Sequence, residues 1–154
     1  MKNLFIVMHN VYSSQKIKEM TELILGFGIE TFIISKAVGS AATVGVPESQ
    51  KMIFQKGKNL IYVKDLPDAI ELLKPDKIYT FIHKPYAKNQ FNIVEVIDYL
   101  KKNQKIMFIF AGSQPGLSKK ELETGSAVFL DLPGDIGSIG YTAVVLYEIL
   151  KNLK

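Results

Sequence analysis

Six short runs of continuous apolar residues recur along the chain, and they constrain its fold more than any other feature. They are rich in β-branched and aromatic side chains, which favour strands. Continuous rather than alternating apolar runs are typical of strands that are buried on both faces, as in a parallel sheet. The predicted strands are Leu4–Met8, Thr31–Ile34, Leu60–Val63, Ile78–Ile82, Ile106–Phe110 and Ala127–Leu130.

Helical patterns lie between these runs. The predicted helices are Ser14–Phe27, Glu48–Gly57, Leu66–Leu73, Phe91–Lys102 and Tyr141–Leu153. Because strands alternate with helices along the whole chain, the sequence predicts an α/β fold with a mainly parallel sheet flanked by helices. The length of 154 residues, without an internal repeat or a linker, predicts one domain over residues 1–154. The glycine- and alanine-rich segment Lys36–Ser49 is interpreted as a connecting loop, with a surface lid or a tightly packed turn as the alternatives.

The composition excludes several kinds of site. The chain has no cysteine, which excludes disulfides, thiolate nucleophiles and zinc–thiolate centres. All 19 basic residues are lysine, so the forked hydrogen bonding of arginine to phosphate is excluded, whereas lysine point charges can still bind nucleic acid. No apolar run reaches the roughly 20 residues of a membrane span, and the N-terminus lacks a signal-peptide pattern. We therefore expect a cytoplasmic protein without a membrane partner.

Polar and glycine residues follow several of the predicted strands. Ligands of open parallel sheets bind beyond the carboxyl ends of the strands. His9 and Asn10 follow the first strand, and His83 and Lys84 follow the fourth. Each histidine is a candidate general base or phosphate partner, with a structural role as the alternative. Two histidines without a cluster of carboxylates predict no metal site.

Two glycine-rich loops, Gly112–Gly116 and Pro133–Gly140, each lie between a predicted strand and a helical pattern. Neither matches a dinucleotide-binding fingerprint or a Walker loop, so neither indicates a phosphate cradle. Glycines there permit sharp turns and a close approach of the backbone to a ligand. The sequence "SKKE" at Ser118–Glu121 predicts a capping box at a helix start.

The order of these pieces resembles the SpoU-like branch of the SPOUT class of RNA methyltransferases. The stretch "FIFAGSQPGLS" is similar to the second motif of that family, with Gln114 in place of the usual glutamate. The stretch "LDLPGDIGSIGYTAVVLYE" is similar to the third motif, with Gly140 in place of the usual asparagine. The arginine of the first motif is absent, as the chain contains no arginine.

The resemblance implies a trefoil knot in the C-terminal half, a homodimer, and S-adenosylmethionine held by backbone groups of the loops after the fourth, fifth and sixth strands. It implies S-adenosylmethionine-dependent methylation of tRNA or rRNA at the ribose 2′-hydroxyl. Asn10, His83 and Lys84 are the candidates for RNA contact and catalysis. The candidates for cofactor contact are Ile82, Ala111, Gly112, Gly116, Leu130, Leu132, Pro133, Gly134, Ser138 and Ile139.

Two alternatives remain open at this point. A non-catalytic knotted dimer that binds S-adenosylmethionine or RNA is favoured by the missing arginine and by Gln114 and Gly140. A flavodoxin-like nucleotide-binding module is the other, although no phosphate loop supports it.

Overall fold

The computed structural model describes residues 1–154 and contains one seven-stranded sheet. All six strand pairings are parallel, in the order β3-β2-β1-β6-β4-β7-β5. The strands are β1 (Leu4–Val11), β2 (Thr31–Ala37), β3 (Asn59–Val63), β4 (Lys77–Phe81), β5 (Asn89–Gln90), β6 (Ile106–Ala111) and β7 (Ser126–Phe129). The predicted parallel α/β fold is confirmed, and the two-residue strand β5 is an addition that the sequence patterns did not indicate.

Helices flank both faces of the sheet. They are α1 (Ser14–Gly26), α2 (Val46–Gln55), α3 (Leu66–Leu73), α4 (Ile93–Lys101), α5 (Lys119–Leu122) and α6 (Gly137–Leu153). The predicted capping box is confirmed at the start of α5, where the Ser118 hydroxyl accepts from the Glu121 N–H and the Glu121 carboxylate accepts from the Ser118 N–H. None of the helices is long and apolar enough to cross a bilayer.

The interior strands explain the continuous apolar runs. In β1, Leu4, Ile6 and Met8 pack into the larger of two hydrophobic clusters, whereas Phe5 and Val7 pack into the smaller one on the opposite face. Successive side chains of a strand point to opposite faces, so a strand covered on both sides needs an apolar residue at every position. Burying each such side chain stabilises the fold by about 1.5–3 kcal/mol.

The segment predicted as a loop, Lys36–Ser49, is more ordered than expected. Strand β2 continues to Ala37, and residues Ala41–Gly45 form a π-helical turn that leads directly into α2. Ala41 is fully buried, and a Cβ added at Gly45 would lie 2.9 Å from the Ile17 Cδ1 atom on α1. The small residues are therefore there because the turn packs closely against α1.

Strand β1 is also longer than predicted. It extends to Val11, which pairs with Ala37 of β2, and its pairing with β6 reaches His9, so His9 and Asn10 lie within the strand rather than after it. His9 pairs with Ser35 and Ala111 in the two neighbouring strands and is completely buried. Asn10 adopts the left-handed conformation, with φ of 62°.

Candidate functional site

A pocket of about 60 Å³ opens at the carboxyl edge of the sheet, beyond the ends of β4 and β6 and beside the first turn of α6. Its apolar wall is formed by Phe81, Ile82 and Phe110. The loop Ser113–Gly116 closes one side of the pocket. This is the position at which open parallel sheets bind ligands, because the loops diverge there.

The polar side of the pocket contains a histidine–carboxylate pair. The His83 Nδ1 atom lies 3.4 Å from the Asp135 Oδ2 atom, and both side chains are about one third exposed. The other Asp135 oxygen accepts from the Gly137 N–H at 2.9 Å, which fixes the carboxylate at the start of α6. Gly137 has φ of +78°, a conformation that favours glycine. Lys16, from the first turn of α1, adds a positive charge to the lining.

Tyr141 also lines the pocket and is nearly buried. Burial raises the pKa of its hydroxyl, and the negative charge of Asp135 raises that pKa further. The hydroxyl therefore stays protonated at neutral pH and is available as a hydrogen-bond donor.

The structure brings part of the predicted cofactor set into this pocket. Ile82, Ala111, Gly116 and Ser138 line it. The other predicted residues do not: Gly112, Leu130, Leu132, Pro133, Gly134 and Ile139 lie outside the lining, and the three with large apolar side chains pack against the larger hydrophobic cluster.

Gly112 is needed for packing between strands. Its N–H donates to the His9 carbonyl at 2.6 Å. A Cβ at this position would lie 2.5 Å from the Val11 Cβ atom and 2.9 Å from the Asn10 carbonyl oxygen. Only glycine lets the end of β6 approach β1 this closely.

The three predicted catalytic residues are placed differently. His83 lines the pocket, whereas Asn10 and Lys84 do not. Lys84 forms an exposed ion pair with Asp131, and its Nζ atom lies 5.5 Å from the centre of the Phe129 ring. The Asn10 Oδ1 atom is buried without a hydrogen-bond partner. Sequence reasoning missed Asp135, although its place in a glycine loop after a strand was the available signal.

The second histidine belongs to a buried polar cluster. The His9 Nδ1 atom is 2.8 Å from the Ser35 hydroxyl, and its Nε2 atom is 2.6 Å from the Glu121 carboxylate. Partial burial tends to raise the pKa of Glu121, but hydrogen bonds from the Ser118 N–H and from His9 outweigh it and hold that pKa below its ordinary value. His9 and Ser35 are fully buried and the Glu121 side chain is 23% exposed, so the cluster connects α5 to the sheet and leaves only the carboxylate partly accessible.

Comparison with known proteins identifies a family that the motifs did not indicate. The family model described as "RecB-family nuclease (DUF2122)" matches residues 39–148, more than two thirds of the chain. The chain belongs to the DUF2122 family. It is 33% identical over 153 residues to a protein of Methanocaldococcus jannaschii named "Putative type II restriction enzyme MjaORF1200P", covering 99% of this chain and 100% of that protein. It is 30% identical over 147 residues to "Putative type II restriction enzyme ApeKORF2002P" of Aeropyrum pernix, covering 95% and 92% of the two chains.

Solved structures identify the fold. A crystal structure of a "putative methylase family protein" from Neisseria gonorrhoeae matches with a TM-score of 0.78 at 16% identity, covering 97% of this chain and 82% of that one. The SpoU methyltransferase AviRb from Streptomyces viridochromogenes matches with a TM-score of 0.68 at 12% identity, covering 97% and 59%. The expected SPOUT-like fold is thereby confirmed, while the trefoil knot stays a prediction. At these identities the likeness shows the fold alone.

The predicted activity is wrong. The sequence resemblance implied an S-adenosylmethionine-dependent RNA methyltransferase, and the departures from its motifs favoured a non-catalytic binding dimer as the alternative. The family description and both full-length relatives instead name nucleases or restriction enzymes. The prediction of an enzyme is confirmed, because both relatives are named as enzymes, but the prediction of a transferase that modifies RNA is wrong. The error has a physical cause, because the motifs describe strand–loop–helix geometry, and geometry of that kind specifies a fold rather than a reaction.

Proposed function

We propose that this protein hydrolyses phosphodiester bonds in nucleic acid and that the reaction takes place at the mouth of the pocket. The observation that carries the proposal is the His83–Asp135 pair, which lies in the same pocket as Lys16. A histidine that faces a carboxylate is a common general base, and a lysine in the same pocket suits an anionic phosphate. The family description and the full-length relatives support the choice of reaction.

Each side chain would have a separate part in the hydrolysis. The Asp135 carboxylate faces Nδ1 of His83, which leaves Nε2 free to take a proton from an attacking water. The water oxygen then forms a bond to phosphorus, and the bond from phosphorus to the leaving ester oxygen breaks. The leaving oxygen takes a proton from solvent at the open mouth. The Lys16 ammonium stabilises the negative charge that builds up on the phosphate oxygens.

Nucleases often use divalent metal ions, which require several oxygen ligands from converging carboxylates. The residues present do not fit such a centre. No group of three or more histidine, cysteine, aspartate or glutamate side chains lies close enough together to hold a metal ion, and Asp135 is the single carboxylate in the pocket lining. The proposed hydrolysis therefore uses no metal ion.

The test is cleavage of end-labelled RNA and DNA oligonucleotides, single-stranded and duplex, with and without EDTA. We expect cleavage that persists in EDTA and that His83→Ala slows by about 10²–10⁴-fold. Asp135→Asn should also slow it, whereas Asp98→Asn, an exposed carboxylate on α4 that pairs with Lys102, should not. Absence of cleavage of every substrate, or cleavage that His83→Ala leaves unchanged, would refute the proposal.

We also propose that the pocket of this hydrolytic enzyme binds the predicted cofactor, S-adenosylmethionine, as a ligand. Ile82, Ala111, Gly116 and Ser138 converge on the pocket, and its apolar wall suits an adenine ring. The volume of about 60 Å³ is small beside the roughly 300–1,000 Å³ of most ligand pockets, so binding requires the loop Ser113–Gly116 to move outward. Calorimetry with S-adenosylmethionine tests this binding directly. If the parent protein gives no heat of binding, the proposed cofactor is refuted.

We also propose that the protein is a homodimer. Helix α6 leaves Val144, Tyr147 and Leu153 exposed at 39%, 57% and 38%. Exposed apolar side chains on one helix are typical of surfaces that bind a partner, and a second copy of the chain is the partner that the SPOUT resemblance implies.

A further inference from the structure

The chain has seven tyrosines, and the four with exposed rings are not scattered evenly. Tyr12, Tyr62 and Tyr86 are 52%, 47% and 65% exposed, and all three lie at the carboxyl edge of the sheet. The fourth, Tyr147, lies on α6. Exposed aromatic rings at a ligand-binding edge are the groups on which unpaired nucleic acid bases stack.

The strand order separates the three strand ends near which these tyrosines lie. Tyr62 lies at the end of β3, Tyr12 directly follows β1, and Tyr86 is in the loop after β4. In the order β3-β2-β1-β6-β4, each of these strands is two strands from the next. Because neighbouring strands lie about 4.8 Å apart, the three strand ends are spaced by about 10 Å and span about 19 Å. The proposed hydrolytic pocket lies within this span, at the ends of β6 and β4.

Lysines without ion-pair partners accompany the tyrosines. Lys16, Lys36, Lys64 and Lys88 have no carboxylate oxygen within 4.0 Å. Lys36 and Lys64 border an open recess of about 670 Å³ that Tyr62 also lines. Such lysines are point charges suited to the phosphates of a nucleic acid backbone.

The recess beside Tyr62 also contains Asp65 and Asp68, which bring its charges close to balance. Both carboxylates are engaged at the start of α3: Asp65 accepts from the Leu66 N–H at 2.7 Å, and Asp68 accepts from the Asp65 N–H at 3.0 Å. In this recess the ring of Tyr62, rather than net charge, is therefore the main attraction for a nucleotide.

From these observations we infer that the carboxyl edge of the sheet is a track for single-stranded nucleic acid, with Tyr62, Tyr12 and Tyr86 as stacking positions. The inference rests on the proposed function, since it names the substrate class and the path by which that substrate reaches the pocket. A duplex cannot use these positions, because its bases are already stacked on one another. The track therefore selects unpaired strands.

The test is binding of a fluorescein-labelled 12-nucleotide strand, as RNA and as DNA, and of the same sequence as a duplex. His83→Ala is the background for all samples, so that cleavage does not interfere. Tyr62→Ala and Tyr12→Ala should each weaken single-strand binding by about 5- to 150-fold, the range expected for the loss of one stacked base. Tyr62→Phe should bind within about twofold of its parent, since the ring is retained. Phe54→Ala should also be unchanged, because Phe54 is an exposed ring at the end of α2, which begins after β2 and returns to the start of β3.

A second readout needs no label. The chain has no tryptophan, so its fluorescence comes from tyrosine, and stacked bases should quench it. We expect quenching by the single strand that is reduced in Tyr62→Ala. Equal affinity for the duplex and the single strand, or alanine variants that bind like their parent, would overturn the track. So would the absence of any single-strand binding at low salt.

These outcomes are separate from those of the cleavage assay. If the parent protein cleaves but the tyrosine variants bind normally, the hydrolytic site stands and the track does not. If the tyrosine variants lose binding but no substrate is cleaved, the track stands and the proposed hydrolysis does not.

Discussion

Glu121→Gln tests whether the buried polar cluster stabilises the fold. One Glu121 oxygen accepts from the Ser118 N–H at 2.8 Å, and the other lies 2.6 Å from the fully buried His9 Nε2 atom. Glutamine keeps one acceptor oxygen and carries an NH2 group in place of the other. It therefore loses the negative charge, and it can bond both the Ser118 N–H and His9 only if the imidazole changes tautomer and donates from Nδ1 to Ser35. A hydrogen bond to a charged group contributes about 1.5–3 kcal/mol, and a helix-capping interaction about 1 kcal/mol. We expect the free energy of unfolding to fall by about 1–3 kcal/mol at pH 7.

The pH dependence gives this prediction a second signature. The pKa of Glu121 is lower in the folded protein than its ordinary value of 4.5, so the ionised carboxylate stabilises the fold at pH values above 4.5. That contribution is lost as the pH falls through the lower pKa of the folded state. Glutamine does not titrate. The difference in free energy of unfolding between the parent protein and Glu121→Gln should therefore narrow as the pH falls below 4.5.

The assay is urea denaturation followed by circular dichroism at several pH values. Glu123→Gln is the matched control, because Glu123 is an exposed carboxylate two residues away that forms no ion pair. Its stability should stay within about 0.5 kcal/mol of the parent protein. The reasoning is refuted if the control loses as much stability as Glu121→Gln, or if the difference stays constant down to pH 3.

Two further predictions concern packing and assembly. Gly112→Ala should lower the free energy of unfolding by about 1–3 kcal/mol, because its Cβ would lie 2.5 Å from that of Val11. Gly134→Ala is the control, since no atom lies within 4 Å of its added Cβ, and it should lower the free energy of unfolding by less than about 0.5 kcal/mol. Equal stabilities of the two variants in urea titration would show that β1 and the end of β6 can move apart without loss of stability. The double variant Val144→Lys with Tyr147→Lys should sediment as a 17.3 kDa monomer, whereas the parent protein should sediment as a dimer. A parent protein that is monomeric at micromolar concentration would refute the proposed dimer.

Local patterns were sufficient to predict the class of the fold. The continuous apolar runs predicted strands covered on both faces, and the interior strand β1 has apolar side chains packed into both hydrophobic clusters. The capping box at Ser118–Glu121 was predicted correctly because all of its hydrogen bonds lie within four residues. Such features depend on neighbours in sequence, and a sequence displays those neighbours directly.

The activity could not be predicted in this way. Strand–loop–helix motifs describe backbone geometry, which unrelated reactions share, and they led to the wrong reaction class. Asp135 was overlooked for a related reason. The proposed role of Asp135 depends on its distance to His83. The two residues are far apart in sequence and come close only because the loop after β7 meets the loop after β4.

The two histidines show most clearly which features can be predicted from the sequence and which depend on the tertiary structure. Each follows an apolar run, so position in the sequence made both of them candidate general bases, although the SPOUT resemblance selected only His83 for the catalytic set. His9 is buried because β1 stays in register with both neighbouring strands as far as the pairs with Ser35 and Ala111. The pairing of β4 ends at Phe81, and so His83 lies past the sheet, at the mouth of the pocket. The residue at which a strand ends depends on its hydrogen bonds to strands that are distant in sequence. Those hydrogen bonds form only in the assembled sheet.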